Sequence, residues 1–173
     1  VNDIIALETM SLGETEFVLR PTQALDVVRN VVELNSMLSA EHGVCVEISG
    51  VGFATALDRD RMTQALINLL QNAQKFSDEG GTVTLAAYEE NGRGVFEVSD
   101  AGKGIPHDKL NDIFGRFEQV DSSDSRLYGG VGLGLAITKA IAERHGGEVW
   151  VDDSSVAGTT FKLAVPLISE PAS

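Results

Sequence analysis

The sequence has few of the residues on which several classes of protein depend. It contains one cysteine, Cys45, so no disulfide can form within the chain, and we expect a reducing compartment, the cytoplasm. Lys and Arg number 13 against 26 Asp and Glu, which excludes nucleic-acid binding through basic patches and disfavours contact with an anionic membrane. No apolar run approaches the ~20 residues that span a bilayer. No Gly-x-x-x-x-Gly-Lys-Ser/Thr sequence occurs either, which excludes a P-loop.

The remaining composition is that of a globular protein. The chain has 173 residues, of which 43% are hydrophobic and 23% charged, and this length suits one domain. It starts at Val1, and we expect it to be a fragment of a longer protein. With a net charge of −13, an anionic ligand would have to be held by local devices such as a few bases, backbone N–H groups and a metal ion.

Hydrophobic periodicity and turn residues predict alternating helices and strands. In the first half we expect a helix end at 4–12, a helix at 22–39 that Pro21 starts, a strand at 44–48, a strand at 54–57 that pairs with it, and a helix from the N-cap Asp58 to Phe76, ended by Gly80-Gly81.

In the second half we expect strands at 82–89 and 95–99 around an Asn91-Gly92 turn, a glycine-rich loop at 100–105, a short helix at 107–117, a loop at 121–130, a helix at 131–145 ended by Gly146-Gly147, and strands at 148–151 and 159–165. This order predicts a two-layer α/β domain with a mixed sheet.

The helix predicted to end at Phe76 carries an unusual polar stripe. Gln64, Asn68, Asn72 and Lys75 lie within roughly 80° on one side of it, opposite an apolar face. Asn is a weak helix former, so two of them at i and i+4 need an explanation. The stripe is either a solvated polar face or a site in which Asn72 is an oxygen ligand for Mg²⁺ and Lys75 contacts phosphates.

A second pattern is the loop that begins at Asp100. Gly102 and Gly104 let the backbone come close to a ligand, and a carboxylate at the end of a strand can accept a hydrogen bond from the exocyclic amine of adenine. An ordinary Asp-Gly turn is the alternative. A dinucleotide-binding fingerprint is a poor match, because its third glycine position holds His107 and Pro106 lacks an N–H.

A third pattern is a run of glycines directly before an amphipathic helix. Glycines occupy positions 129, 130, 132 and 134, and exposed N–H groups and a helix N-terminus together favour a phosphate group. The alternative is a plain hinge.

Taken together, the three segments resemble the catalytic and ATP-binding domain of sensor histidine kinases, in the GHKL ATPase superfamily. Residues 68–76 are similar to its N box, 100–106 to its G1 box, 113–119 to its F box and 130–135 to its G2 box. The order and spacing of the four boxes match, and the resemblance covers roughly residues 14–168, including a final Gly-Thr-Thr-Phe. Val131 departs from the Thr that is common between the glycines of the G2 box.

The resemblance implies a Bergerat-type sandwich, with a mixed sheet covered by helices on one face and a mobile lid at 121–131 over ATP. It implies Asn72 as the Mg²⁺ ligand, Lys75 on the phosphates and Arg116 near the terminal phosphates. It implies Asn68 as a supporting polar contact in the nucleotide site. It further implies adenine or backbone contacts from Phe76, Asp100, Gly102, Gly104, Ile105, Gly130, Gly132, Leu133, Gly134 and Thr160.

The family's phosphoacceptor histidine belongs to a separate domain. His42, His107 and His145 do not stand in a His-Glu or His-Asp motif, so we expect residues 1–13 to end the second helix of a truncated dimerisation domain, 14–168 to form the catalytic domain and 169–173 to be a tail. The implied activity is transfer of the γ-phosphoryl of Mg²⁺-ATP to that histidine, for relay to a response-regulator aspartate, in a homodimeric parent. The alternatives are an ATPase of the chaperone, topoisomerase or mismatch-repair type, and a nucleotide sensor without transfer.

Overall fold

The structure is a computed structural model, and it describes residues 16–102, 104, 113–114, 134–152 and 158–168. Two predicted segments, the helix end at 4–12 and the loop at 121–130, lie outside the described residues, as does most of the short helix at 107–117. The described elements are β1 (Arg20–Gln23), α1 (Ala24–Leu34), α2 (Ser36–His42), β2 (Cys45–Ser49), β3 (Ala54–Leu57), α3 (Arg59–Phe76), β4 (Thr82–Glu90), β5 (Arg93–Asp100), α4 (Gly134–Arg144), β6 (Glu148–Asp152) and β7 (Thr159–Pro166).

The main sheet has five strands in the order β2-β4-β5-β7-β6. β2 runs parallel to β4, and the other three pairs are antiparallel, so the sheet is mixed as predicted. Strand side chains alternate between the two faces. Phe96 and Val98 of β5 and Phe161 and Leu163 of β7 enter one core with α1, α3 and α4. This confirms the predicted α/β sandwich.

The prediction that β3 pairs with β2 is wrong. β3 forms a separate two-stranded sheet with β1, in which Arg20 faces Leu57 and Gln23 faces Ala54. Pro21 lies within β1, which is an edge strand of this two-stranded sheet. A proline, which has no backbone N–H, is tolerated in an edge strand. The residues taken as the first turn of a helix are therefore strand.

The predicted helix 22–39 is also divided into two. α1 begins at Ala24 and ends before Asn35, whose φ of −93° and ψ of 0° break the helix. The Asn35 side chain is 2% exposed, and its Nδ2 donates to Gln74 Oε1 of α3 at 2.9 Å and to Ser39 Oγ at 3.1 Å. Asn side chains compete with helical hydrogen bonds in this way. The corner between α1 and α2 is therefore fixed to α3 by buried polar contacts.

The local signals around α3 and the β4–β5 hairpin are confirmed. Asp58 caps α3 by accepting the Arg61 N–H at 3.1 Å. Asn91 and Gly92 have φ of 53° and 76°, the positive values that a tight hairpin turn requires. α3 ends at Phe76 as predicted, but Ser77 is its C-cap, three residues before Gly80. The described part of the chain contains no helix long and apolar enough to cross a membrane.

One end of the helical layer is held together by Asp58 and His145. The Asp58 N–H donates to His145 Nε2 at 3.0 Å, and His145 Nδ1 lies 2.8 Å from the Ile141 carbonyl oxygen. Asp58 Oδ2 accepts the Val18 N–H at 3.0 Å, and the Phe17 ring packs edge-on against His145. The segment before β1 is thus fixed where α3 begins and α4 ends.

Candidate functional site

The polar stripe of α3 lies at the border of the core. Asn68, Asn72 and Lys75 are half-buried, whereas the opposite side of the helix is fully buried. The Lys75 Nζ lies 5.4 Å from the centroid of the Phe76 ring, which is itself half-buried. One edge of the helix therefore presents two amides and a cation at a partly shielded surface. The buried residues behind it are Met62, Thr63, Ala65, Leu66, Leu69, Leu70, Ala73 and Gln74.

Asp100 is a buried carboxylate at the end of β5. It is 8% exposed, and its Oδ1 accepts the Gly102 N–H at 2.9 Å. Burial raises the pKa of Asp100, and backbone hydrogen bonds from Gly102 and Thr159 oppose that rise. A carboxylate held by N–H donors at the edge of the core is ready to accept a hydrogen bond from a ligand.

Two glycines allow the backbone to close around Asp100. A Cβ on Gly102 would lie 2.1 Å from the Phe76 carbonyl oxygen, and a Cβ on Gly158 would lie 1.9 Å from the Asp100 carbonyl oxygen. Both distances are far below van der Waals contact, so any larger residue would force the chain apart. The loop after β5 is therefore pressed against the end of α3, which brings Asp100 into the neighbourhood of Lys75 and Phe76.

The structure places the side chains of Thr160 and Asp100 on opposite faces of the sheet. Thr160 faces Ser99 in the β5–β7 register, and the two hydroxyl oxygens are 3.2 Å apart on the face of the sheet away from the helices. Thr159 pairs with Asp100 on the helical face and is 6% exposed. Strand alternation gives the reason, since Phe161 is a core residue and therefore Thr159, two positions earlier, shares its face. The sequence alone also indicates this face for Thr159, because strand side chains alternate and Phe161 is apolar.

The glycine-rich segment enters the described structure at Gly134, the first residue of α4. Its carbonyl oxygen accepts a hydrogen bond from Asn68 Nδ2 at 3.1 Å, which joins α4 to the middle of α3. Gly104 has a φ of +73°, in the region that favours glycine. Ile105, Arg116, Gly130, Gly132 and Leu133 lie outside the described residues, so their roles stay predictions.

Two residues of the predicted F box are described. Ile113 is 4% exposed and belongs to the core. The Phe114 ring meets Phe161 edge-on, with ring centroids 6.2 Å apart. These contacts place Ile113 in the core and Phe114 against β7.

Comparison with known proteins assigns the chain and its fold to a family. A family model described as "Histidine kinase-, DNA gyrase B-, and HSP90-like ATPase" matches residues 57–169. The circadian input-output histidine kinase CikA of Synechococcus elongatus is 36% identical over 96% of this chain and 22% of its own length. The sensor histidine kinase WalK of Bacillus subtilis is 32% identical over 98% of this chain and 28% of its own.

A solved structure gives the same result in three dimensions. Full-length ShkA in complex with AMPPNP superposes with a TM-score of 0.84 and 31% identity, over 99% of this chain and 36% of that one. The chain thus spans about a quarter to a third of the length of these relatives. The region matched by the family model, the mixed sheet and the order of the four boxes all point to the same family. The chain belongs to the histidine kinase-, DNA gyrase B- and HSP90-like ATPase family, as an ATP-binding catalytic domain of the sensor histidine kinase type.

Proposed function

We propose that this domain binds Mg²⁺-ATP and transfers the γ-phosphoryl group to a histidine nitrogen on a separate domain of the parent chain. From there the group passes to an aspartate of a response-regulator receiver protein. The observation that carries the proposal is the buried Asp100, held by backbone N–H groups beside the last turn of α3, where Lys75 lies. The proposal includes a homodimeric parent and a cytoplasmic site of action.

The roles follow from the chemistry of each group. The Asp100 carboxylate would accept a hydrogen bond from the 6-amino group of adenine, with Thr159 rather than Thr160 beside it. The Asn72 amide oxygen fits Mg²⁺, which prefers oxygen ligands and keeps phosphates and water in its remaining positions. Lys75 and Arg116 would neutralise phosphate charge. The other proposed contacts with the nucleotide are Phe76, Gly102, Gly104, Ile105, Gly130, Gly132, Leu133 and Gly134.

The proposed chemistry is mainly positioning and charge neutralisation. Phosphoryl transfer of this kind needs little covalent work from the protein, and a bound Mg²⁺ would offset the negative charge of the transferring group. The accepting histidine would come from the separate domain. This chain by itself should therefore bind ATP and fail to phosphorylate itself.

The transfer step is tested by mixing the chain with a histidine-bearing dimerisation domain and ATP labelled in the γ-phosphate. We expect label on the added domain and none on this chain. An added domain whose histidine is replaced by alanine is the control. ATP binding without any transfer across a panel of such domains would reduce the proposal to a nucleotide-binding module.

The metal assignment is tested by titrating ATP into Asn72→Ala with and without Mg²⁺. We expect Mg²⁺ to raise the ATP affinity of the wild-type chain and to lose most of that effect in the variant. Gln71→Ala is the matched control, because Gln71 is exposed and neighbours Asn72 on the same helix. An unchanged response to Mg²⁺ in Asn72→Ala would remove Asn72 as the ligand.

A further inference from the structure

The carbonyl oxygen of Gly134 receives hydrogen bonds from two different helices. Asn68 Nδ2 of α3 donates to it at 3.1 Å, and Thr138 Oγ1, one turn further along α4, donates to it at 2.9 Å. Thr138 Oγ1 also lies 3.4 Å from the Ala65 carbonyl oxygen of α3. Polar contacts at neighbouring turns therefore join the start of α4 to the middle of α3.

These contacts explain an amide in the middle of a helix. Asn costs helical stability because it competes for backbone hydrogen bonds, but here its NH₂ group has a fixed acceptor on another helix. Only the NH₂ end of an amide can donate to a carbonyl, so the bond also fixes which end of Asn68 points to Gly134. A Cβ on Gly134 would lie 3.7 Å from Asn68 Cγ, an ordinary contact, so the approach of Asn68 does not itself require a glycine at this position.

Thr138 of α4 makes a second polar connection between α4 and α3. Its side chain is completely buried, and a buried hydroxyl that loses its acceptor costs free energy. The hydroxyl spans Gly134 and Ala65, so it holds the first turn of α4 against α3 close to where Asn68 does.

We propose that Asn68 is a positioning residue that acts through the Gly134 carbonyl, with Thr138 as its partner, and is neither a metal nor a phosphate ligand. The two side chains fix the start of α4 relative to α3 and so the direction of the first N–H groups of α4. This inference rests on the proposed function, in which the nucleotide lies between α3 and the start of α4. It differs from the resemblance, which gives Asn68 a contact in the nucleotide site.

The variants that test this are Asn68→Ala, Asn68→Asp, Thr138→Val and the double variant Asn68→Ala with Thr138→Val. Thr138→Ser keeps the hydroxyl and Gln71→Ala alters an exposed position of α3, so both are controls. The first measurement is hydrogen exchange, without nucleotide, of the Thr138, Lys139 and Ala140 amides, whose helical acceptors are the carbonyl oxygens of the first turn of α4. We expect roughly three- to tenfold faster exchange in Asn68→Ala and Thr138→Val, the size of one lost hydrogen bond, and wild-type rates in both controls.

The second measurement is the Kd for ATP, with and without Mg²⁺, at a temperature where every variant is folded. We expect Asn68→Ala and Thr138→Val to raise the Kd by a similar factor in both conditions, and the double variant to depart from additivity because both groups serve one acceptor. A purely structural role would lower the unfolding temperature but leave this Kd unchanged, and that result would overturn the proposal.

Asn68→Asp separates positioning from ligation by the sign of its effect. A carboxylate cannot donate to Gly134, so positioning predicts that Asp loosens α4 and weakens Mg²⁺-ATP binding at least as much as Ala does. A ligand role predicts the opposite, because Asp is itself a good Mg²⁺ ligand and would preserve the metal-dependent affinity.

Failure of the proposed function gives a different pattern. If the wild-type chain bound no ATP, the proposed function would fail, while the exchange rates would still decide whether Asn68 and Thr138 position α4. Unchanged exchange in both variants, with a selective loss of Mg²⁺-dependent binding in Asn68→Ala, would contradict the positioning role.

Discussion

At the scale of single residues, His145 connects more of the molecule than its position at the end of α4 suggests. It is 7% exposed, and its Nε2 accepts the Asp58 N–H, so this nitrogen carries no proton in the folded state. The Nδ1–H therefore donates to the Ile141 carbonyl oxygen. The sequence predicts a helix that ends at residue 145, close to the observed end at Arg144, but it does not predict that this histidine is buried.

This arrangement predicts a stability that depends on pH. Burial lowers the pKa of His145 below the usual histidine value of 6.5, although the bond to Ile141 and the charge of Asp58 act in the other direction. The unfolded chain therefore binds more protons than the folded chain between these two pKa values, and the free energy of unfolding falls as the pH drops below about 6.5. The charged groups at this site are Asp58, Arg61 and Arg144, the two arginines lying over the Phe17 ring that covers the histidine.

The measurement is denaturant unfolding of the wild type, His145→Gln and His42→Gln between pH 5 and pH 8. We expect His145→Gln to flatten the pH dependence, and His42→Gln to retain it because His42 is exposed. If the free energy of unfolding of His145→Gln depended on pH as steeply as that of the wild type, another group would be responsible for the dependence.

At the scale of elements, the outer face of the sheet has its own ionic cluster. Lys162 of β7 has a side chain 14% exposed, with its Nζ 3.1 Å from Asp152, 3.8 Å from Glu90 and 3.9 Å from Glu97. Burial alone would lower the pKa of Lys162, but the hydrogen bond to Asp152 and its other partners raise it overall. One cation therefore serves three carboxylates from three strands.

We expect Lys162→Met to lower the free energy of unfolding by about 1–3 kcal/mol, because three carboxylates would lose their shared counter-charge. Urea unfolding at pH 7 measures this, with Lys139→Met on an exposed position of α4 as the control. If Lys139→Met lowered the free energy of unfolding as much as Lys162→Met, the loss would come from removing any positive charge and not from the Lys162 cluster.

The Tyr88 hydroxyl on the same face titrates at high pH. The Tyr88 hydroxyl donates to Glu97, and burial, together with that bond, raises the pKa of Tyr88 to about 12. Lys162 partly opposes the rise. The outer face is thus a connected cluster of polar side chains and not simply a solvated surface.

The start of β7 offers a test that separates backbone conformation from close packing. Gly158 and Gly92 have φ of +78° and +76°, but a Cβ on Gly158 would meet the Asp100 carbonyl oxygen whereas one on Gly92 would meet nothing within 4 Å. Gly92→Ala therefore carries conformational strain alone, about 1 kcal/mol. Gly158→Ala carries the same strain and a collision with β5.

We expect Gly158→Ala to lower the free energy of unfolding by more than Gly92→Ala and, unlike it, to weaken ATP binding by displacing Asp100. Thermal unfolding and ATP titration of the two variants measure this. Equal losses of stability, with ATP binding intact in both, would show that β7 can move aside without disturbing the site.

The elements also show where sequence reasoning succeeds. α3 and the β4–β5 hairpin were predicted closely because a cap, a 3.6-residue period and an Asn-Gly turn are local signals. β1 and the partner of β3 were not, because pairing between residues 20–23 and 54–57 is decided by distant contacts such as the bond from Ala24 N–H to the Phe53 carbonyl oxygen. At the start of β7, strand alternation puts Thr159 on the face of Phe161 and Thr160 on the other face, a distinction that the resemblance alone does not make.

At the scale of the whole molecule, the net charge of −13 would repel the polyanionic ligand proposed above, so the distribution of charge around the proposed site matters. Lys75 lies at one edge of α3, whereas the carboxylates of Glu90, Glu97 and Asp152 lie on the opposite face of the sheet, beside Lys162. The sheet therefore separates the proposed site from part of the charge that would repel phosphates.

The central claim is that the Asp100 end of α3 is an adenine-nucleotide site, and calorimetric titration of ATP and GTP in the presence of Mg²⁺ tests it most directly. Adenine offers an amine to the Asp100 carboxylate, whereas guanine offers a carbonyl oxygen that it would repel, so the wild-type chain should bind ATP at least about tenfold more tightly than GTP. Asp100→Asn should lose most of that preference. Equal binding of the two nucleotides by the wild type, or a preference that survives in Asp100→Asn, would contradict the account.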